Sequence, residues 1–187
     1  VSRREALEKQ LGHRFNNAAL LEQALTHRSA GAGDNERLEF LGDGVLGCAV
    51  AEELYARFPR LAEGRLTRMR ARLVREEALA EVAGQLHLQQ HLKIGQKHPL
   101  TPSVLADAVE ALFGAVFLDA GYAAAREAML HTFGPLLASL DPSDVEKDAK
   151  TRLQELMHAR GRKLPEYRVV ATHGAPHQRS FEVECAL

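Results

Sequence analysis

Two short stretches constrain this chain more than any others: ERLEFLGDGVLG at 36–47 and DAVEALFGAV at 107–116. Both carry apolar residues at three- and four-residue spacing, the mark of a helix with one buried side. At about 100° per residue, Glu36, Glu39 and Asp43 share a sector roughly 60° wide, and Leu38, Leu41 and Val45 lie opposite. In the second stretch Asp107 and Glu110 occupy the matching sector beside Gly114, with Val109, Leu112 and Val116 on the far side. Gly44 and Gly47 flank the first acidic row, giving up about 1 kcal/mol of helix propensity each. They leave room there for another backbone. Packing the two helices together would gather Glu39, Asp43, Asp107 and Glu110 in one cleft.

Such a cleft opposes folding. Two carboxylates ~4 Å apart repel by roughly 4 kcal/mol at an effective dielectric near 20. Proton uptake or a divalent cation relieves the repulsion. An all-oxygen ligand set suits Mg²⁺, with Mn²⁺ as a substitute, and Mg²⁺ characteristically joins one or two carboxylates to substrate phosphates. Phosphodiester hydrolysis is the chemistry that follows, because such an ion activates water, holds the phosphate and steadies the departing oxygen. The plainer alternative, acids solvated near the positive end of a helix, suits Glu36 taken alone. Spacing leaves the substrate open, since small all-α nucleotide pyrophosphohydrolases also use helical acid pairs.

The rest of the chain supplies the frame. Through about residue 140 the periodicity is helical. Ser2 caps a helix ending before Gly12, Asn16 or Asn17 caps a second, and Asp34 or Asn35 caps the long acidic helix, which must stop before Pro59. Residues 63–88 read as one or two helices. Thr101 or Ser103 caps the second acidic helix, and a further helix covers about 123–139. After the linker-like LDPSDVEK the pattern changes. Asp148 caps a short helix, and PEYRVVATHG and HQRSFEVECAL read as a hairpin. Helix followed by hairpin marks a second module, giving domains at 1–146 and 147–187.

Charge divides along the same line. The net charge is −1, which by itself argues against a polyanionic partner. Residues 1–146 hold 16 Lys/Arg against 20 Asp/Glu, whereas 147–187 hold 8 against 5. The tail is therefore the basic part. No apolar run is long enough to span a membrane and the first residues do not resemble a secretory signal, so a cytoplasmic location is expected. Cys48 and Cys185 sit among apolar neighbours and read as reduced, buried thiols.

NERLEFLGDGVLG at 35–47 resembles the signature of the ribonuclease III family, and LADAVEALFGAVFLDAG at 105–121 resembles its second acidic segment. ALTHRSAG at 24–31 and EGRLTRMRARLV at 63–74 are similar to further segments of that family, in the same order. The resemblance implies an all-α endonuclease domain followed by the N-terminal part of an α+β double-stranded RNA-binding domain. It implies a Mg²⁺-dependent homodimer that cuts double-stranded RNA, leaving 5′-phosphate and 3′-hydroxyl ends. Carried over by position, Glu39, Asp43, Asp107 and Glu110 are the metal-binding acids, with Asp43 and Glu110 catalytic. Glu36 and Glu63 match acids lining the RNA cleft, and Phe40 matches an aromatic that enters the partner subunit. A core phenylalanine is the simpler alternative for Phe40. In the tail, Thr151, Gln154 and Glu155 match first-helix positions that reach an RNA minor groove, and His177 matches a loop histidine that enters the next.

The sequence departs from the family in places. The loop IGQKHPLTP is shorter than the family's Gly-rich basic loop, and the resemblance stops at Leu187, before a third strand and last helix. One rival is a protein that grips duplex RNA without cutting it. Other features carry less. His87 and His91 lack a third ligand, and His27 and Ser29 read as turn-makers. Arg65, Arg68, Arg72 and Arg75 fall on one helical side, facing RNA or neighbouring acids.

Overall fold

The computed structural model describes residues 2–141, 149–174 and 179–187, and only the backbone of residues 149, 151, 152 and 155. The chain divides into two compact units, Val1–Val145 and Glu146–Leu187. The first is helical: α1 (Arg3–Leu11), α2 (Ala18–Ala24), α3 (Glu36–Arg57), α4 (Glu63–Leu73), α5 (Glu76–Gln85), α6 (Pro102–Thr132) and α7 (Gly134–Ala138). Among the described residues no helix is long and apolar enough to cross a membrane.

Local chemistry sets the helix ends. The Ser2 hydroxyl accepts from Glu5 N at 3.1 Å while Ser2 N donates to the Glu5 carboxylate at 2.7 Å, a reciprocal cap. Gly12 then closes α1 with φ 74°, which a side chain would resist. Asn17 caps α2 through Ala19 N, and Thr101 caps α6 through Val104 N. At α3 the capping oxygen is Asp34 Oδ1, 3.2 Å from Glu36 N. Asn35 is buried, its amide turned to Ala24 O.

Residues 63–88 form two helices, α4 and α5. Arg75 falls in the break before α5 and pairs with Glu77 at 3.5 Å, so it does not share a helical side with Arg65, Arg68 and Arg72. The second acidic helix and the helix expected from about 123 meet at a bend at Gly121 (φ 80°, ψ −178°), and the latter segment ends at Thr132 with α7 following it, short of a continuous run to 139. Beyond the bend, the Tyr122 hydroxyl donates to Glu52 Oε2 at 2.6 Å, and Arg126 reaches both Glu52 and Glu53.

The core is built around the crossing of α3 and α6. Leu38, Val45, Leu46, Ala49 and Val50 are buried in one cluster with Val109, Leu112, Phe113 and Val116. At the crossing the backbones touch. A Cβ on Gly42 would lie 1.7 Å from Glu110 O, and one on Gly114 would lie 2.3 Å from Leu38 O. This corrects the expectation for Gly44 and Gly47, which face open space. Gly42 makes the close approach because it lies on the core side, one turn after Leu38. Cys48 and Cys185 are free thiols, and both are exposed. The buried reading fails because Cys48 lies on the solvent side of α3, beside exposed Gly44, and Cys185 on an exposed strand.

Asp119 of α6 fastens the N-terminal turn. Its carboxylate accepts from Asn16 N, Asn17 N and His13 Nε2 at 2.8–2.9 Å, with the side chain 1% exposed. Burial pushes its pKa up, but those donors outweigh it and hold the carboxyl below its usual range.

The second unit contains α8 (Ala149–Ala159) and an antiparallel pair, β1 (Glu166–His173) and β2 (Ser180–Ala186). The register runs from Glu166 opposite Ala186 to His173 opposite Ser180, with a bulge at Val170. Arg168 and Glu184 form a 2.7 Å cross-strand pair. Lys150 Nζ stands 4.6 Å from the centre of the Tyr167 ring.

Two stability predictions follow for urea denaturation. Gly42→Ala should lower stability by about 3 kcal/mol or more, because carbonyl and methyl cannot share the space. Asp119→Ala should lower it by about 1–3 kcal/mol, by removing the charged acceptor of three hydrogen bonds that fasten the N-terminal turn. The Asp119 contribution is present above its unfolded-state pKa and disappears as pH falls through the lower folded value.

Candidate active site

Glu39 and Asp43 stand on successive turns near the start of α3, and Asp107 and Glu110 on successive turns near the start of α6. The glycine crossing brings the two rows together. Glu39, Asp107 and Glu110 each offer a carboxylate oxygen within 4.8 Å of the others, and all three are half-buried. Asp43 is exposed and lies outside that trio, yet after burial its charge is the largest influence raising Glu110.

The electrostatics are those of crowding. Burial, then the charges of Asp43, Glu39 and Asp107, raise the Glu110 pKa from 4.5 to about 7. Burial also raises Glu39, with Asp107 and Glu36 adding to it and Arg28 opposing. Asp107 is raised by burial, with His27 the foremost opposing neighbour. Among the described residues, none of the three acids has a hydrogen-bonded or ion-paired partner. A half-buried, all-oxygen set without a cationic side chain fits a hard divalent cation.

The other expected residues are dispersed. Glu36 is exposed and paired with Arg28 at 3.1 Å. Glu63 begins α4, accepts from the Thr67 hydroxyl at 2.7 Å, and lines a separate pocket with Ala51, Leu54, Tyr55, Leu66, Thr67 and Arg70. Phe40 is 85% exposed, so it is not a core residue. Gln154 is half-buried on α8. The side chains of Thr151 and Glu155, and all of His177, lie outside the described residues.

His27 and Ser29 do make a turn: His27 Nδ1 accepts from Ser29 N at 3.1 Å. His87 and His91 do not share a helical side, because α5 ends at Gln85 and His87 takes φ 52°. Sequence reasoning missed Gly42, although its place one turn after Leu38 on the apolar side was a signal. It also missed the packing of His98 on His27, with ring centroids 4.5 Å apart, which no local pattern announces.

Fold and site together define a helical hydrolase centred on carboxylates. The family model described as Ribonuclease-III-like matches residues 17–136. Ribonuclease 3 of Bordetella petrii is 55% identical over 186 residues, spanning 97% of this chain and 74% of that protein. The nuclease domain of ribonuclease III from Campylobacter jejuni superposes with a TM-score of 0.68 at 39% identity, covering 70% of this chain and 96% of that one. A Dicer from Pichia stipitis reaches 0.56 at 27% identity, covering 92% and 81%. The chain belongs to the ribonuclease III family. That membership sets the nucleotide pyrophosphohydrolase reading aside.

The raised pKa values make a pH prediction. A carboxyl that binds its proton more tightly in the folded state stabilises the fold at low pH, and that contribution is lost as pH rises from about 4.5 to about 7 for Glu110. In metal-free protein, Glu110→Gln should therefore raise the melting temperature at pH 8 and change it little at pH 4. Adding Mn²⁺ to wild type should raise the melting temperature more at pH 8 than at pH 5, as differential scanning fluorimetry would show.

Proposed function

We propose that this protein is a Mg²⁺-dependent endoribonuclease that hydrolyses phosphodiester bonds in double-stranded RNA during cytoplasmic processing of precursor RNAs, ribosomal RNA included. The products carry 5′-phosphate and 3′-hydroxyl ends. The observation that carries this reading is the convergence of Glu39, Asp107 and Glu110 from two helices to within 4.8 Å.

Glu39, Asp107 and Glu110, with Asp43 at the exposed edge, would hold the ion, and Mn²⁺ would serve in its place. When bound, a divalent cation supplies Lewis acidity and lowers the pKa of water. The side chains do the remainder. Glu110 holds a proton near neutral pH and must release it for the site to load, which ties activity to pH. Asp43, exposed beside the half-buried trio, would face an RNA backbone arriving from solvent across the bound ion. Glu36 and Glu63 would line the RNA path.

The working form in this reading is a homodimer. Phe40 at 85% and Tyr55 at 76% exposure share one side of α3 with Gly44, Gly47 and Cys48. An apolar stripe of this kind on a helix calls for a cover, and the Campylobacter jejuni relative is described as having a region involved in dimer formation. The basic second unit would begin a double-stranded RNA-binding domain, with Thr151, Gln154, Glu155 and His177 reaching the minor grooves.

Cleavage of a labelled RNA duplex with Mg²⁺, followed by end analysis, tests the enzyme. Asp43→Asn and Glu110→Gln should each lower kcat by about 100-fold or more while duplex binding persists. If wild type and variants are equally inert yet all bind duplex, the protein is a non-cleaving binder. Phe40→Ala should shift the protein toward monomer in sedimentation and reduce paired cuts on opposite strands.

A further inference from the structure

The chain entering α6 is fastened to the turn that holds His27. Lys93 N donates to Leu25 O at 2.8 Å and His27 N donates to Lys93 O at 2.9 Å, a short parallel bridge between Thr26 and Lys93. Gly95 N donates to Ser29 Oγ at 2.9 Å. A Cβ on Gly95 would lie 2.4 Å from Ser29 O, so the loop rests directly on the turn. His98 N then donates to Gly95 O at 2.9 Å, doubling the loop back. That fold lays the His98 ring on His27, with centroids 4.5 Å apart and planes inclined at 48°.

Hydrogen bonds decide where His27 can take a proton. The ring is buried, and its Nδ1 accepts from Ser29 N at 3.1 Å. Ser29 Oγ, already accepting from Gly95 N, has its own hydrogen free for the same nitrogen at 2.8 Å. A neutral imidazole with Nδ1 accepting carries its hydrogen on Nε2, so a second proton has only Nδ1 to enter. There it would meet Ser29 N–H head on and reverse the hydroxyl that receives Gly95. It would also place a charge beside the His98 ring, whose Nδ1 donates to Pro99 O at 3.0 Å.

Burial comes first in holding His27 neutral, helped by His98 of the loop and Arg28 of the turn. Asp107 of α6 and Glu36 of α3 oppose them without prevailing. Arg28 is itself paired with Glu36, and Lys93 of the loop with Glu22.

We propose that His27, Ser29 and His98 form an acid-released latch: shut while His27 is neutral, it holds residues 93–98 on the turn, and a proton on Nδ1 undoes the turn and frees the loop. The loop leads to the Thr101 cap, so the latch governs the entry to α6. It needs no ion or RNA, and its test stands apart from the proposed catalysis. Because the folded ring titrates below its ordinary 6.5, the stability it contributes is whole above that pH and is lost as pH falls beneath it.

The experiment follows amide hydrogen exchange of the metal-free chain at about pH 7.5 and about pH 5.5, each rate taken relative to unstructured peptide. Protection of the Lys93 and Gly95 amides should fall about five- to tenfold at the lower pH, while Val50 and Leu112 in the core keep theirs. Long-range ¹H–¹⁵N spectra should show neutral His27 as the Nε2–H tautomer. His27→Asn offers Ser29 N a side-chain oxygen and takes up no proton, so the loop amides should stay protected at both values. His98→Phe keeps the ring contact and removes one titrating group, so protection should hold at the higher pH and fall less at the lower.

Protection at Lys93 and Gly95 that does not change with pH overturns the proposal. So does an equal fall at Val50 and Leu112, which makes the change global, and so does the Nδ1–H tautomer. A fall as large in His27→Asn as in wild type assigns the acid response to another group and overturns it as well. Should His27→Asn not fold, a fall in His98→Phe as large as in wild type decides against the latch.

Discussion

Everything in the catalytic unit depends on two helix backbones lying against each other without side chains between them. Gly42 and Gly114 are the places where this happens, and the carbonyls of Glu110 and Leu38 fill the space that a Cβ would need. Bulky residues hold most helix pairs 8–10 Å apart. Removing them at one crossing draws in whatever the neighbouring positions carry, and here those positions carry Glu39, Asp107 and Glu110. Apolar packing around Leu46, Leu112 and Phe113 supplies the force that holds like charges together. The site is thus a by-product of core geometry, and the acids are passengers that the core keeps in place.

The electrostatic consequence is a fold set against itself at one spot. Glu110 near pH 7 stands between its charged and neutral forms, chiefly because it is buried and then because of the acids around it. A structural ion pair would have ended the conflict, yet Arg28, the arginine whose charge opposes the rise at Glu39 and Asp107, is engaged with Glu36 at the exposed lip. Local conflict of this kind within an otherwise consistent structure is where function is expected to lie. The contrast with Asp119 is instructive. That carboxylate is also shielded from solvent, but donors from Asn16, Asn17 and His13 satisfy it and its pKa moves the other way.

Much of this was legible in the sequence because it is written locally. Capping residues such as Ser2, Asn17 and Thr101 act within a turn of themselves, and helical periodicity placed the acids on facing rows. The hairpin could be read from alternation and a Gly/Pro turn. What could not be read depends on partners distant in the chain. Whether Gly42 or Gly44 meets another helix is decided by a crossing point some 70 residues away. The burial of Cys48 was misjudged because apolar neighbours in sequence point to different sides of a helix. His27 was legible as a turn-maker, whereas its contact with His98 arises only when residues 93–98 fold back upon it.

The bend at Gly121 gives the acid-bearing helices a second point of attachment. Past it, Tyr122 and Arg126 secure the rear of α6 to Glu52 and Glu53, about 13 Å along α3 from Asp43 at 1.5 Å per residue. The pair therefore behaves like tongs riveted at the handle. Over that length a rotation of about 4° would displace the tips by roughly 1 Å, the scale on which positioning matters to chemistry. Small rearrangements of this remote polar knot are thus magnified at the jaws, while the glycine contact limits how far they close.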